Sequence, residues 1–225
     1  MACKILQKGN LAVNDNKKIT SMEVVTSSIS CARQFFEDEG TDTKELRLFW
    51  HSAARYNRIE VMIWAHEEGF SSAWQGNGPS YRSYFEHNPC SVAAKYGHIS
   101  CLKWLRENGC DWDADTCSFA AGGGHLSCLI WLRENGCPWE MRTSFSAASN
   151  GHLSCLKWAR ENGCPWNDRT CTDAAGNGHL SCLKWARENG CDWNKWIYMN
   201  AQHSHNIDVL NYYVNDQGCP RTLRD

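Results

Sequence analysis

The chain has 225 residues, enough for one large domain or two small ones. Its 23 Lys and Arg against 25 Asp and Glu leave a formal net charge of -2, which argues against the basic face that nucleic acid requires. No apolar run approaches the 18 or so residues of a membrane span, and the opening MACKILQKGNLAVNDNKK lacks the apolar core of a secretory signal. The expected partner is therefore neither nucleic acid nor membrane. Fourteen Cys without such a signal imply a reducing compartment, cytoplasmic or nuclear, with thiols rather than a disulfide framework.

In chain order, residues 1–45 hold NDNKK, TSSIS and CARQFFEDEG and are expected to be an N-terminal tail with one capping helix. A repeat domain is predicted over 46–219. Its first unit, near 48–70, is a degenerate copy that keeps Ala53-Ala54, Val61, Trp64 and Gly69. Residues 71–87, with Gly76, Gly78 and Pro79, read as an inserted loop. Four regular copies follow, near 88–110, 115–137, 142–164 and 169–191. In these, GHISCLKWLRENGC, GHLSCLIWLRENGC and two copies of GHLSCLKWARENGC begin at Gly97, Gly124, Gly151 and Gly178, each 27 residues after the last. A second degenerate copy lies near 196–219 and keeps Ile207, Leu210, Tyr212 and Gly218-Cys219, before a short tail at 220–225. Atypical end units are expected where a stack must stop.

Each unit reads as helix, turn, helix, short loop. In TCTDAAGNG, Thr170 is placed to cap the first helix, with Asp173 completing a capping-box pattern. Gly178 is placed to end it in the left-handed conformation. In LSCLKWAREN, Leu180, Leu183 and Ala186 recur at threes and mark an apolar stripe. Gly190 ends that helix. The upstream pairs Ala93-Ala94, Ala120-Ala121, Ala147-Ala148 and Ala174-Ala175 allow close helix contact. One unit cannot bury its own stripe, and stacked neighbours can.

The recurring Cys and His invite a zinc or catalytic reading, with His98, Cys101, Cys110 and Cys117 as the nearest set. Structural zinc favours close Cys pairs. No C-x-x-C occurs, and Ser144 stands where Cys117 and Cys171 recur. GGGH at 122–125 lacks the Lys and Ser/Thr of a phosphate loop. No catalytic residue, cofactor or metal is therefore expected, although a metal-binding or enzymatic protein using the repeated Cys and His is the alternative. His98, His125, His152 and His179 are expected to satisfy backbone groups at the start of each second helix. Trp104, Trp131, Trp158 and Trp185 are expected between units. The loop set, Trp112, Trp139, Trp166 and Trp193, is expected to pack, with an exposed aromatic ladder as its alternative.

The pattern AAxxGHLxCLxWLRxxGC resembles the ankyrin repeat. Ala147-Ala148, Gly151-His152, Cys155, Leu156, Ala159 and Gly163-Cys164 sit at matching positions. The likeness spans about 48–219 and is strongest over 90–193. The resemblance implies an all-α, ankyrin-like helix–turn–helix solenoid of about six stacked units. The family's unit runs to about 33 residues. Here it is 27, and the openings TCSF, TSFS and TCTD replace Thr-Pro-Leu-His. The shortfall lies in the loop between units, so the projecting β-hairpin is expected to be shortened or absent. The loop Trp residues occupy a position that is aliphatic in the family.

The resemblance further implies a non-catalytic scaffold or adaptor that binds another protein, as a monomer. A fragment of a larger adaptor, with its effector domain elsewhere, is a further alternative. Positions that vary between copies are released from packing. They lie in DWDADT (111–116), PWEMRT (138–143), PWNDRT (165–170) and DWNKWI (192–197). The candidate partner-binding residues are Asp111, Asp113, Asp115, Glu140, Arg142, Asn167, Arg169, Lys195 and Trp196. If the recurring Cys and His serve packing, the purified protein carries only substoichiometric zinc by elemental analysis, and a chelator leaves its far-UV circular dichroism unchanged. One bound zinc whose removal unfolds the chain contradicts this.

Overall fold

Short paired helices recur through the computed structural model, which describes residues 25–39, 43–71, 88–191 and 194–215. The described residues form thirteen helices and no strand: α1 (Ile29–Glu39), α2 (Thr43–Arg55), α3 (Ile59–Glu67), α4 (Pro89–Lys95), α5 (Ile99–Glu107), α6 (Ala114–Gly122), α7 (Leu126–Glu134), α8 (Met141–Ser149), α9 (Leu153–Glu161), α10 (Asp168–Gly176), α11 (Leu180–Glu188), α12 (Lys195–His203) and α13 (Ile207–Asn215). This is the expected all-helical repeat architecture. Most of the inserted loop, both distal tails and Trp193 fall outside the described residues. The chain divides into two compact units. One comprises 1–93 with 98–111, and the other 94–97 with 112–225.

In the first unit, Ser28 Oγ accepts the Cys31 amide at 3.2 Å and so caps α1. Phe36 on α1 stacks on Phe70 at 4.5 Å and meets Phe49 of α2 edge-on at 5.0 Å. Phe49 and Trp50 are fully buried, and the Trp50 indole N–H donates to the Phe70 carbonyl at 3.0 Å. Trp50 also stacks on Trp104 of α5.

In the second unit the first helices of each pair, α6, α8, α10 and α12, lie side by side in that order. The second helices α7, α9 and α11 form a parallel row. The two rows face each other through the Ala pairs, all fully buried. Among the described residues the loops joining successive pairs are short and irregular, as at 137–140 and 164–167, with no hairpin.

Two details correct the sequence reading. The buried stripe of the second helix is Cys182, Leu183 and Ala186, while Leu180 is only half-buried. In the same way α13, which keeps Ile207, Leu210 and Tyr212 at the repeat positions, buries Val209 and Tyr213, 27 residues after Cys182 and Ala186. The first-helix cap is likewise one turn earlier than expected. Asn167, extended at φ -146°, accepts the Arg169 amide at 3.1 Å. Thr170 is buried inside the helix. In α6 the cap Asp113 accepts the Thr116 amide while Thr116 Oγ1 accepts the Asp113 amide, a reciprocal capping box.

The histidines also act differently from the expectation. His98, His125, His152 and His179 precede α5, α7, α9 and α11, yet none caps its helix through the side chain. Instead the ring reaches back to the preceding repeat. His98 Nε2 is 2.9 Å from the Arg55 carbonyl oxygen. The His152 ring occupies the space where Gly124 would otherwise carry a Cβ, 2.6 Å from Nδ1. Asn206 takes the equivalent place in the last pair and donates to the Gly176 carbonyl at 2.6 Å.

These contacts separate two glycines of equal backbone demand. Gly124 and Gly136 have φ of 76° and 81°, so an alanine at either costs about 1–2 kcal/mol in backbone strain. At Gly136 a Cβ meets nothing within 4 Å, whereas at Gly124 it meets the His152 ring. Gly124→Ala is therefore expected to lower the melting temperature more than Gly136→Ala, and adding His152→Ala should remove the difference. Equal losses in the single variants contradict the packing role of His152.

Candidate functional site

Along the first helices, a buried row of near-constant residues lies beside a more exposed row that varies. Thr116, Thr143, Thr170 and Ile197 occupy one equivalent position along α6, α8, α10 and α12, and all are fully buried. One residue earlier, Asp115, Arg142, Arg169 and Trp196 form a row along the outward side of the same helices. This row belongs to a face made of first helices and the loop edge that leads into them.

The structure brings the sequence-selected residues of the second unit into this row or beside it. Arg142 donates to Asp115 Oδ1 at 2.9 Å across neighbouring repeats, with both side chains well exposed. Such a pair adds little stability, but it fixes how the two side chains are presented. Asp113 and Asn167 are the N-caps already described, so their side chains are partly committed to the fold. Glu140 holds the same N-cap position of α8 but makes no side-chain cap bond. Asn167 Nδ2 reaches Met141 Sδ at 3.3 Å, and Asn194 Nδ2 reaches Asp168 Oδ2 at 2.9 Å. The Arg169 guanidinium lies 5.5 Å from the Phe145 ring centre, and Lys195 Nζ lies 5.3 Å from that of Trp196. Asp111 belongs to the first unit and pairs with Arg106 at 3.7 Å. Met141, Phe145 and Met199 lie on the same face; the first two fall at positions that sequence comparison picked out as varying, and Met199 does not. All three vary between copies, so the same comparison could have selected Met199.

The thiols are elsewhere and otherwise occupied. None of the twelve described cysteines is in a disulfide. Cys137, Cys164 and Cys191 donate to the carbonyls of Asp113, Glu140 and Asn167 at 3.3, 3.4 and 3.5 Å. Each thiol thus ties the end of its own second helix to the start of the first. Burial pushes Cys101, Cys128, Cys155 and Cys182 from 9.0 up to about 11. Cys137 is pushed higher still by its hydrogen bond with Cys117, then by burial. Reactive cysteines show the opposite shift. Among the described residues no group of three or more His, Cys, Asp and Glu is placed to hold a metal ion.

The loop tryptophans are half-buried and packed. Trp112, Trp139 and Trp166 meet Trp131, Trp158 and Trp185 of the following second helix edge-on at 5.6, 5.8 and 5.8 Å. The guanidinium groups of Arg133 and Arg160 cover Trp139 and Trp166 at 4.2 and 4.4 Å. This ladder joins successive pairs on the side of the second helices.

A two-row stack of helix–turn–helix repeats, with a variable face over a repeating core, defines a helical repeat protein. Residues 90–133 match the family model for ankyrin repeats that occur in many copies. No curated protein matches the chain. Among solved structures, the human ASB11 ankyrin repeat domain is similar in fold. Its TM-score is 0.54 at 20% identity, over 72% of this chain and 80% of that one. Residues 90–133 are thus similar to ankyrin repeats, a kind of repeat that generally mediates protein–protein interaction, and the chain shares the fold of an ankyrin repeat domain. No described helix is long and apolar enough to cross a membrane.

The raised thiols make stability depend on pH. In the unfolded chain they ionise near 9, whereas in the fold Cys128, Cys155 and Cys182 stay protonated to about 11. Their contribution is complete below the unfolded value and is lost as pH climbs between the two. The melting temperature is expected to fall steeply from about pH 9 to 11, and replacing these three thiols with alanine should flatten that slope. An unchanged slope contradicts burial as the cause.

Proposed function

We propose that the chain is a non-catalytic scaffold or adaptor that holds another protein on the first-helix face. One observation carries this reading. The outward row Asp115, Arg142, Arg169 and Trp196 changes chemistry at two of its three steps, from acid to base and from base to aromatic, while the buried row one residue away runs Thr, Thr, Thr, Ile. Packing constrains the second row. A face whose chemistry varies along the stack can be complementary to one extended partner and reject others.

Catalysis has little support. An active site needs a nucleophile or base with a shifted pKa suited to its task. The thiols of Cys137 and Cys164 are instead shifted upward and donate to carbonyls, and burial shifts Cys155 upward as well. The same thiols remain intact in a reducing environment, so the cytoplasm or nucleus is the expected compartment. The chain is proposed to work as a monomer, since its partner is a different protein.

The test compares two surfaces of the same full chain. One variant carries Arg142→Ser, Arg169→Ser, Lys195→Ser and Trp196→Ser on the first-helix face. The other carries Lys157→Ser and Lys184→Ser on second helices. Affinity capture followed by mass spectrometry should show a partner that is lost with the first variant and retained with the second. Loss with the second variant alone, or with neither, contradicts the assignment.

A further inference from the structure

Among the described residues few large apolar side chains are exposed, and most of them share one face. Among the described residues only Met141, Trp196, Met199 and Ile207 stand out, at 50%, 50%, 49% and 68% exposure. The first three lie on α8 and α12 of the second unit, with the half-buried Phe145 on α8. Trp196 is a side chain of the kind that anchors interfaces, since a large rigid ring gains much area for little entropy.

Charge along this face is uneven. Around α6 and α8 the exposed or half-exposed acids Asp113, Asp115 and Glu140 face two bases, Arg142, which pairs with Asp115, and Lys95, whose Nζ lies 5.8 Å from the Phe119 ring of α6. Acid is therefore in excess there. Around α10 and α12 the charges are Asp168, Asp173, Arg169 and Lys195, which balance. Asp168 there accepts a hydrogen bond from Asn194. Asp173 is half-buried near Arg169. The face thus runs from an acid-rich end to a neutral end that carries Trp196 and Met199.

We propose that this face docks a linear protein segment with Lys or Arg at one end and a large apolar side chain at the other. The basic end lies over Asp115 and Glu140, and the apolar end sits against Trp196 and Met199. Three helix spacings of about 10 Å separate α6 from α12, a span that about nine extended residues cover. The inference rests on the scaffold reading and adds the partner's chemistry and polarity.

The test is a selection of displayed random twelve-residue peptides on the full chain. The expected winners carry Lys or Arg near one end and Trp, Phe, Leu or Met five to eight residues away. A synthetic winner should bind Trp196→Ser/Met199→Ser at least about tenfold more weakly. It should also bind Glu140→Lys more weakly at low salt, with the difference shrinking as salt is added. The substituted residues are exposed, so circular dichroism should show both variants folded. Acidic winners, or winners that bind both variants at full strength, overturn the inference and leave the scaffold reading to its own capture test. Failure to enrich any peptide also overturns it.

Discussion

Everything in the second unit depends on how closely one helix pair can approach the next. The tightest points are the turns, where the glycine before each recurring His leaves room for the imidazole of the following repeat. His152 against Gly124 and His179 against Gly151 are two instances, and Asn206 against Gly178 closes the series. A Cβ at those glycines would overlap the ring. The Gly-His dipeptide therefore belongs to two contacts at once. Its glycine receives the ring behind it, and its histidine reaches the glycine in front. A residue pair tied to both neighbours in this way has to recur at the same spacing, which is why the phrase returns every 27 residues with so little variation.

The remaining repeated letters follow from that approach. The Ala pairs keep the two rows of helices close, and the thiols fill the small spaces that remain. A buried Cys is a small apolar group with a weak donor. Here the donor ties loop to helix start through the carbonyls of Asp113, Glu140 and Asn167. The Trp pairs bridge successive repeats on the other side. A short interval between repeats leaves no chain for a projecting hairpin, and four or so residues of irregular loop suffice.

Much of this was legible in the sequence, because a repeat prints the same constraint several times. The helix pairs, the buried Ala pairs and the left-handed glycines could all be read from periodicity. The cap was misplaced because Thr and Asn both make good caps, and only the burial of Thr170 decides for Asn167. The stripe was shifted from Cys182 to Leu180 because spacing alone does not say which of two apolar letters faces inward. The His role was missed for a different reason. Its acceptor lies a full repeat away, and 43 residues separate His98 from Arg55 across the inserted segment. On the candidate face, the charged letters drew notice while Met199 did not, since an apolar letter on a helix reads first as core.

The division between packing letters and recognition letters can be tested in one measurement. Cys128, Cys155 and Cys182 are replaced together by alanine in the full chain, and thermal stability and partner capture are read on the same preparation. If these thiols only fill space, the melting temperature falls, the far-UV spectrum keeps its shape at low temperature, and the partner is still captured. An unchanged melting temperature with the partner lost would show that the thiols recognise something, and the separation between packing thiols and an exposed recognition row would be wrong.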